Sequence, residues 1–291
     1  MEFLQLAISG IANGCIYGLI ALGFVLIYKA TETVSFAQGD LMMLGAFVSY
    51  GLMAVMGLPF WLAIIGAVIS MAILGVLLER IVISPILGQP QFTVVMLTIG
   101  IGYIIRGIIT MIPNVGTETL TLPVPYRAAV VNWGSLVISV EHIVVIVSTV
   151  VLCGLLYATF KYTTVGLAMQ ASSQNQLAAY YMGIPVKRLN GLVWGLAAAV
   201  AAVAGFLLAP ITFVHSGMGF VALKAFPAAV IGGFGSLPGA IVGGLIIGLV
   251  EAVSGRYAPE GVKDVAAYVV VLLMLVWKPN GLFGEKLRKK V

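Results

Sequence analysis

Charge is what this chain has least of. Only 9% of its 291 residues are Asp, Glu, Lys or Arg, whereas a soluble domain carries about 25%, so there is too little charge here to clothe a globule in water. Histidine and cysteine number two each. Cys15 and Cys153 both lie within apolar runs, which excludes a disulfide framework and a CxxC metal site. His142 and His215 fall at loop ends, where a solvated or interfacial ring is expected. No GxxxxGK[ST], HExxH or GxSxG occurs, so an ATP-driven process involving this chain needs its motor on other chains. The opening MEFLQLAISG carries an acid and no basic stretch, and its apolar run is expected to stay as a membrane span rather than be cleaved. A net charge of +5 does not point to nucleic acid, because the basic residues are spread over loop ends, as orientation signals are.

Apolar helix is what the chain has in abundance. It is 61% hydrophobic, with a mean hydropathy of +1.13. A span needs about 20 apolar residues, and the runs 3–28, 40–56, 60–83, 92–112, 142–160, 189–211, 237–253 and 265–277 qualify or nearly do. The segment 212–236 is apolar but broken by Lys224, Pro227, Gly232, Gly233 and Gly235. The pattern predicts an all-α polytopic membrane protein with about nine crossings, one of them short and broken, or about eight with a re-entrant segment. Pro113–Glu141 reads as an external loop with some ordered structure. If Thr163–Pro185 is cytoplasmic, Lys29, Arg80, Lys161, Lys187, Arg188, Lys278, Lys286, Arg288, Lys289 and Lys290 all fall inside. Arg127, Lys224, Arg256 and Lys263 fall outside, a positive-inside bias that puts the N-terminus outside and the C-terminus in the cytoplasm.

Small residues repeat every four positions: Gly10, Gly14 and Gly18; Ala197, Ala201, Gly205 and Ala209; Gly235, Gly239 and Gly243. In lipid such stripes let helix backbones approach closely, and packing alone accounts for them. Ionisable residues in mid-membrane would mark a transport path. Asp40, Glu79 and Arg80 fall near inner ends and Glu251 near an outer end, which leaves Arg106 as the deepest candidate, although it could reach outward to the interface. Two glycine-containing breaks, Ser35-Phe36-Ala37-Gln38-Gly39-Asp40 and Gly232-Gly233-Phe234-Gly235-Ser236-Leu237-Pro238-Gly239, either line a wet path or form turns at the inner interface. Ser35, Gln38, Gly39, Arg106, Gly232, Gly233 and Gly235 are therefore the path candidates.

The longest polar interruption of the second half is Thr163–Pro185. Ser173 and Gln176 have the spacing of a capping box, Gly183 can end a helix in the left-handed conformation, and Pro185 stops its continuation. The spacing predicts a short helix, Gln174–Met182, with Leu177, Tyr180 and Tyr181 on one face. A capped helix held between spans suits contact with something outside the bilayer.

Four stretches resemble one family. SFAQGDLMMLGA (35–46), the loop 163–184, AFPAAVIGGFGSLPGAIVGGLIIGLVEA (225–252) and KPNGLFG (278–284) resemble, in order and over nearly the whole length, the permease subunits of branched-chain amino acid ABC importers, the LivH type. That resemblance implies a single permease domain, 1–291, in the bacterial inner membrane, with a cytoplasmic coupling loop at 161–188. It implies a periplasmic binding protein, a second homologous permease forming a heterodimer, and two cytoplasmic ATPase subunits that use the ATP, with no cofactor and no catalysis on this chain. It gives Leu177, Ala178, Ala179, Tyr180, Tyr181 and Gly183 the place of the EAAxxxG coupling motif, with Leu177 where the acid stands. It also exposes a departure: Gly166-Leu167-Ala168-Met169-Gln170-Ala171 lacks both arginines of the relatives' GRAxRA. From the residues alone, a stand-alone secondary carrier or channel for a small polar solute and a membrane scaffold remain open.

Overall fold

The computed structural model describes residues 2–133, 136–259 and 261–284. The C-terminal Lys286, Arg288, Lys289 and Lys290, which entered the charge argument, lie outside the described residues. Helix α1 (Glu2–Thr31) is the hub. Its 30 residues extend about 45 Å, and every residue from Gly14 to Ile27 is buried. A helix apolar on all sides needs protein on all sides, and α1 has it: α10 (Leu237–Tyr257), α8 (Val186–Thr212), α9 (Val221–Gly232) and α5 (Val140–Tyr162) surround it.

The close contacts are glycine contacts. A Cβ on Gly14 would come within 2.8 Å of the Leu245 Cα, and one on Gly244 within 2.4 Å of the Gly18 nitrogen. The α10 stripe that meets α1 is Gly244 and Gly248, whereas Gly239 and Gly243 of the expected stripe pack instead on Gly232 and Ala228 of α9. Helix α3 (Phe60–Leu78) shows the same logic. It buries Ala63, Ala67, Met71 and Gly75 against α8 and turns Leu62, Ile65, Ile69, Ile73 and Leu77 outward. Small residues inward and large apolar ones outward invert the pattern of a water-soluble helix, and lipid is the solvent that favours it.

Among the described residues, seven helices are long and apolar enough to cross a membrane. They are α1, α2 with its π-helical end (Gln38–Val55), α3 with its irregular end (Phe60–Ile86), α4 (Gln91–Thr110), α5, α8 and α10. The chain is a multi-pass membrane protein. The broken segment 212–236 becomes a 3₁₀ turn, Met218–Phe220, followed by α9. Together these form a shorter apolar helix, Met218–Gly232, beside the seven, and α11 (Val262–Trp277) adds a further 16 residues of helix. The expected external loop contains an antiparallel hairpin, β1 (Val130–Trp133) with β2 (Leu136–Ser139), in which Val130 pairs with Ser139. It is pinned to the bundle by a bridge between Leu120 and Val214.

Candidate functional site

The polar loop is two helices rather than one. Thr163 caps α6 (Thr164–Gln174), its Oγ1 accepting from the Gly166 amide at 3.1 Å. Asn175 is extended, ends α6, and caps α7 (Gln176–Tyr181) by accepting from the Ala178 amide at 3.0 Å. The expected capping box on Ser173 is therefore incorrect, as is the helix start at Gln174. Ser173 lies inside α6 and its hydroxyl donates back to the Gln170 carbonyl. Asn and Ser cap about equally well, but Asn175 has the extended backbone that a cap needs, whereas Ser173 is helical. Gln176 does not reach the helix start either; its Nε2 donates to the Ala30 carbonyl at the end of α1, at 2.7 Å.

The predicted stop is where the structure has it. Gly183 has φ +85°, its amide donates to the Tyr180 carbonyl, and the Ile184 amide donates to the Ala179 carbonyl. Together these make the double hydrogen bond of a Schellman ending. Ala179 is buried, while Ala178, Gly183, Leu177 (65% exposed), Tyr180 and Tyr181 (77%) face outward. Leu167, where the relatives' first arginine would stand, is also exposed. A two-turn helix with an uncovered apolar face costs free energy in water unless something covers it.

The second constellation is built on the break before α2. Asp40 lies in the first turn of α2, where the helix dipole favours a carboxylate. The side chain of Gln38 packs on Gly23, eight residues before the end of α1, or about 12 Å back along that helix. The break is thus packed against the bundle. Ser35, Gln38 and Asp40 are buried, the Phe36 amide donates to Thr98 Oγ1 at 3.1 Å, and Gln38 Nε2 donates to the Ala197 carbonyl at 3.2 Å.

Arg106, on α4, pairs with Asp40 at 2.7 Å. Its guanidinium lies 4.0 Å from the Phe220 ring centroid and 5.8 Å from that of Tyr103. Glycines make room for the carboxylate. A Cβ on Gly102 would come within 2.3 Å of Asp40 Oδ2, one on Gly219 within 2.8 Å of Oδ1, and one on Gly39 within 2.3 Å of the Gly219 carbonyl oxygen. A cavity of about 310 Å³ adjoins the pair, walled by Phe24, Phe36, Ile99, Tyr103, Phe220 and Leu223. Three buried atoms of Arg106 and of the break have no hydrogen-bond partner: Arg106 Nε, Ser35 Oγ and Gln38 Oε1.

The two glycine breaks do not converge. Gly232 and Gly233 are filled by main chain, Gly232 against Gly239, and Gly233, at φ +91°, against Asn280 and Gly284. The Leu282 and Phe283 amides donate to the Ile231 and Gly232 carbonyls at 2.7 and 3.2 Å. Gly235 lines a separate cavity of about 660 Å³ with Ser236, Pro238, Cys153 and Tyr157. Sequence reasoning missed a further buried network. Glu251 accepts from the Tyr17 hydroxyl and from Lys224 Nζ, at 3.0 Å for the lysine, and Lys224 also reaches Asp264 at 2.6 Å. The signal was present in Lys224, a cation within an apolar helix, but its partners come from two other helices.

Residues 6–277 match the family described as branched-chain amino acid transport system / permease component. The chain is 31% identical, over 100% of its length and 98% of the other's, to the high-affinity branched-chain amino acid transport system permease protein LivH of Salmonella typhimurium. It is 30% identical, with the same coverage, to the BraD permease protein of Pseudomonas aeruginosa. A probable LivH of Methanocaldococcus jannaschii matches at 28% identity over 93% of this chain and 89% of the other. Among solved structures, PsaBC from Streptococcus pneumoniae in complex with Fab covers 94% of this chain and 88% of that one, at 18% identity and a TM-score of 0.43, a likeness too slight to bear an argument. With its seven spanning helices and full-length kinship to these permeases, the chain belongs to the branched-chain amino acid transport permease family.

Proposed function

We propose that this chain is the membrane-spanning subunit of an ATP-driven importer for branched-chain or other small amino acids, working in the bacterial inner membrane. The observation that carries this reading is the full-length kinship with permease proteins of high-affinity branched-chain amino acid transport systems. The cargo arrives from a periplasmic binding protein, and a second, homologous permease completes the path as a heterodimer. Two cytoplasmic ATPase subunits hydrolyse the ATP, and this chain contributes neither catalysis nor a cofactor site. The whole of 1–291 is one permease domain, and 161–188 is its cytoplasmic coupling loop. Nine crossings, with α9 and α11 as the short ones, leave the N-terminus outside and the C-terminus inside.

The exposed Leu177, Tyr180 and Tyr181 on a helix capped at both ends give the ATPase an apolar knob to seat in a groove. Nucleotide-driven closure of the ATPase pair then moves α7, and the spans rearrange around the path. The alternative, a stand-alone carrier, is favoured by one observation, the Asp40–Arg106 pair within the bundle, since carriers couple ions through such groups. One experiment separates them. The chain is co-expressed with the second permease and the ATPase subunits, purified by a tag on this chain, and reconstituted in liposomes with the binding protein supplied outside. Co-purification of the ATPases and uptake that depends on internal ATP are the expected result. Gradient-driven uptake by the permease alone would establish the carrier instead.

A further inference from the structure

The Asp40–Arg106 pair is poorly explained as a structural staple. Buried ion pairs stabilise a fold weakly, if at all, against well-packed apolar residues. This one also requires glycine at Gly39, Gly102 and Gly219, where small but ordinary side chains would otherwise pack. Nor is the pair sealed. Asp40 and Arg106 keep 12% and 19% of their side-chain surface, and the adjoining cavity is walled by the exposed residues Tyr103, Phe220 and Leu223. Charges in a membrane protein face the bundle interior or a wet cavity, not hydrocarbon. The face carrying Tyr103 and Phe220 therefore borders water or protein.

We propose that this pair is the zwitterion site of the translocation path. The loaded substrate's ammonium takes Asp40, its carboxylate takes Arg106, and its apolar side chain lies among Phe24, Phe36 and Phe220. This deepens the importer reading and rests on it. The charge balance favours such a ligand. An empty site holds one neutral ion pair, and a zwitterion exchanges it for two pairs, so no charge is left unmatched in either state. A simple cation or anion would strand Arg106 or Asp40 respectively, at the cost of a buried unpaired charge. The cavity's volume of about 310 Å³ is at the small end of small-molecule pockets. Arg106 lines that cavity, and its Nε, buried and unpartnered, is a polar atom of the kind that buried sites normally satisfy. The opening on the Tyr103–Phe220 face places the path along α1, α2 and α4, where the second permease closes its other side.

The test uses the permease–ATPase complex without its binding protein, and leucine, leucinamide and isocaproate as probes. Leucine is expected to raise the thermal midpoint of the complex, whereas leucinamide, without the carboxylate, and isocaproate, without the ammonium, are not. A D40N/R106Q variant, which keeps hydrogen bonding between the same two helices, is expected to assemble and to show no leucine shift. With the binding protein restored, its ATP-driven leucine uptake is expected to fall by about a hundredfold. A wild-type complex that leucine does not stabilise, or that leucinamide or isocaproate stabilises as well as leucine, overturns the site, as does a D40N/R106Q complex that transports leucine at a wild-type rate. Failure of the importer reading looks different: a leucine shift on the permease without any ATP-dependent uptake by wild type.

Discussion

Gln176 donates its side-chain amide to the main-chain carbonyl of Ala30 at 2.7 Å, which ties the most exposed short helix to the most buried long one. Ala30 lies in the last turn of α1, where carbonyls have no partner within the helix. A displacement of α7 is therefore felt first at the end of α1, the helix against which α8, α9 and α10 all pack.

Replacing Gln176 with Ala should cost about 1 kcal/mol of stability, the usual worth of such a bond. Its effect on function should be larger. Uptake per ATP hydrolysed, measured in liposomes, should fall while the subunits still co-purify. An unchanged ratio would show that force passes through another contact.

Charge on the exposed face should break docking directly. In Leu177→Asp with Tyr181→Asp, neither side chain is buried in the permease, so its thermal midpoint should stay within about half a kcal/mol of wild type. ATPase recovery in the pull-down should drop sharply.

The cap assignment is testable by two alanines. Asn175→Ala should destabilise the α6–α7 segment by about 1 kcal/mol, and Ser173→Ala by no more than about half of that. Limited proteolysis of the loop reads both, and equal sensitivity would reinstate Ser173 as the cap.

The buried network predicts a compensating pair. Lys224→Met removes the nearer of two cations from Glu251, leaving Lys263 Nζ at 3.9 Å, and should cost about 1–3 kcal/mol. Adding Glu251→Gln should recover most of it, as followed by thermal unfolding in detergent, because a neutral amide still accepts from Tyr17. A double variant as unstable as K224M would mean that packing, not charge, holds α9 to α10.

Packing gives the plainest contrast. Gly14→Leu and Gly244→Ile place side chains where Cβ alone meets backbone within 2.8 and 2.4 Å, and the α1–α10 contact should fail, with loss of folded protein on size exclusion. Gly154→Ala meets nothing within 4 Å and should behave as wild type.

Long spans were legible because a single requirement, about 20 apolar residues, leaves little freedom; α1, α3, α4, α5, α8 and α10 all begin and end within a few residues of their expected bounds. Gly183 was legible for a local reason, since a left-handed stop depends on its own backbone. Ser173 misled because S-x-x-Q is also a local pattern, and it lost to Asn175, whose competing cap the same few residues could encode. The surroundings of Asp40 were out of reach for a non-local reason. They are set by where Gln38 meets Gly23, Thr98 meets Phe36 and Gly102 meets the carboxylate, and no window along the chain contains those partners. Arg106 could be picked out as a lone deep cation, but its partner could not.

The backbone bonds from Leu282 and Phe283 to Ile231 and Gly232 have a bearing on how the protein is made. Carbonyls left open at a helix break are costly in lipid, and these two are satisfied by residues at the far end of the chain. During synthesis, which proceeds from the N-terminus, the α9–α10 turn enters the membrane before its partners exist. That turn is completed last, by main-chain atoms, so a ribosome that stalls after α11 would leave the described helices made and this one turn unfinished.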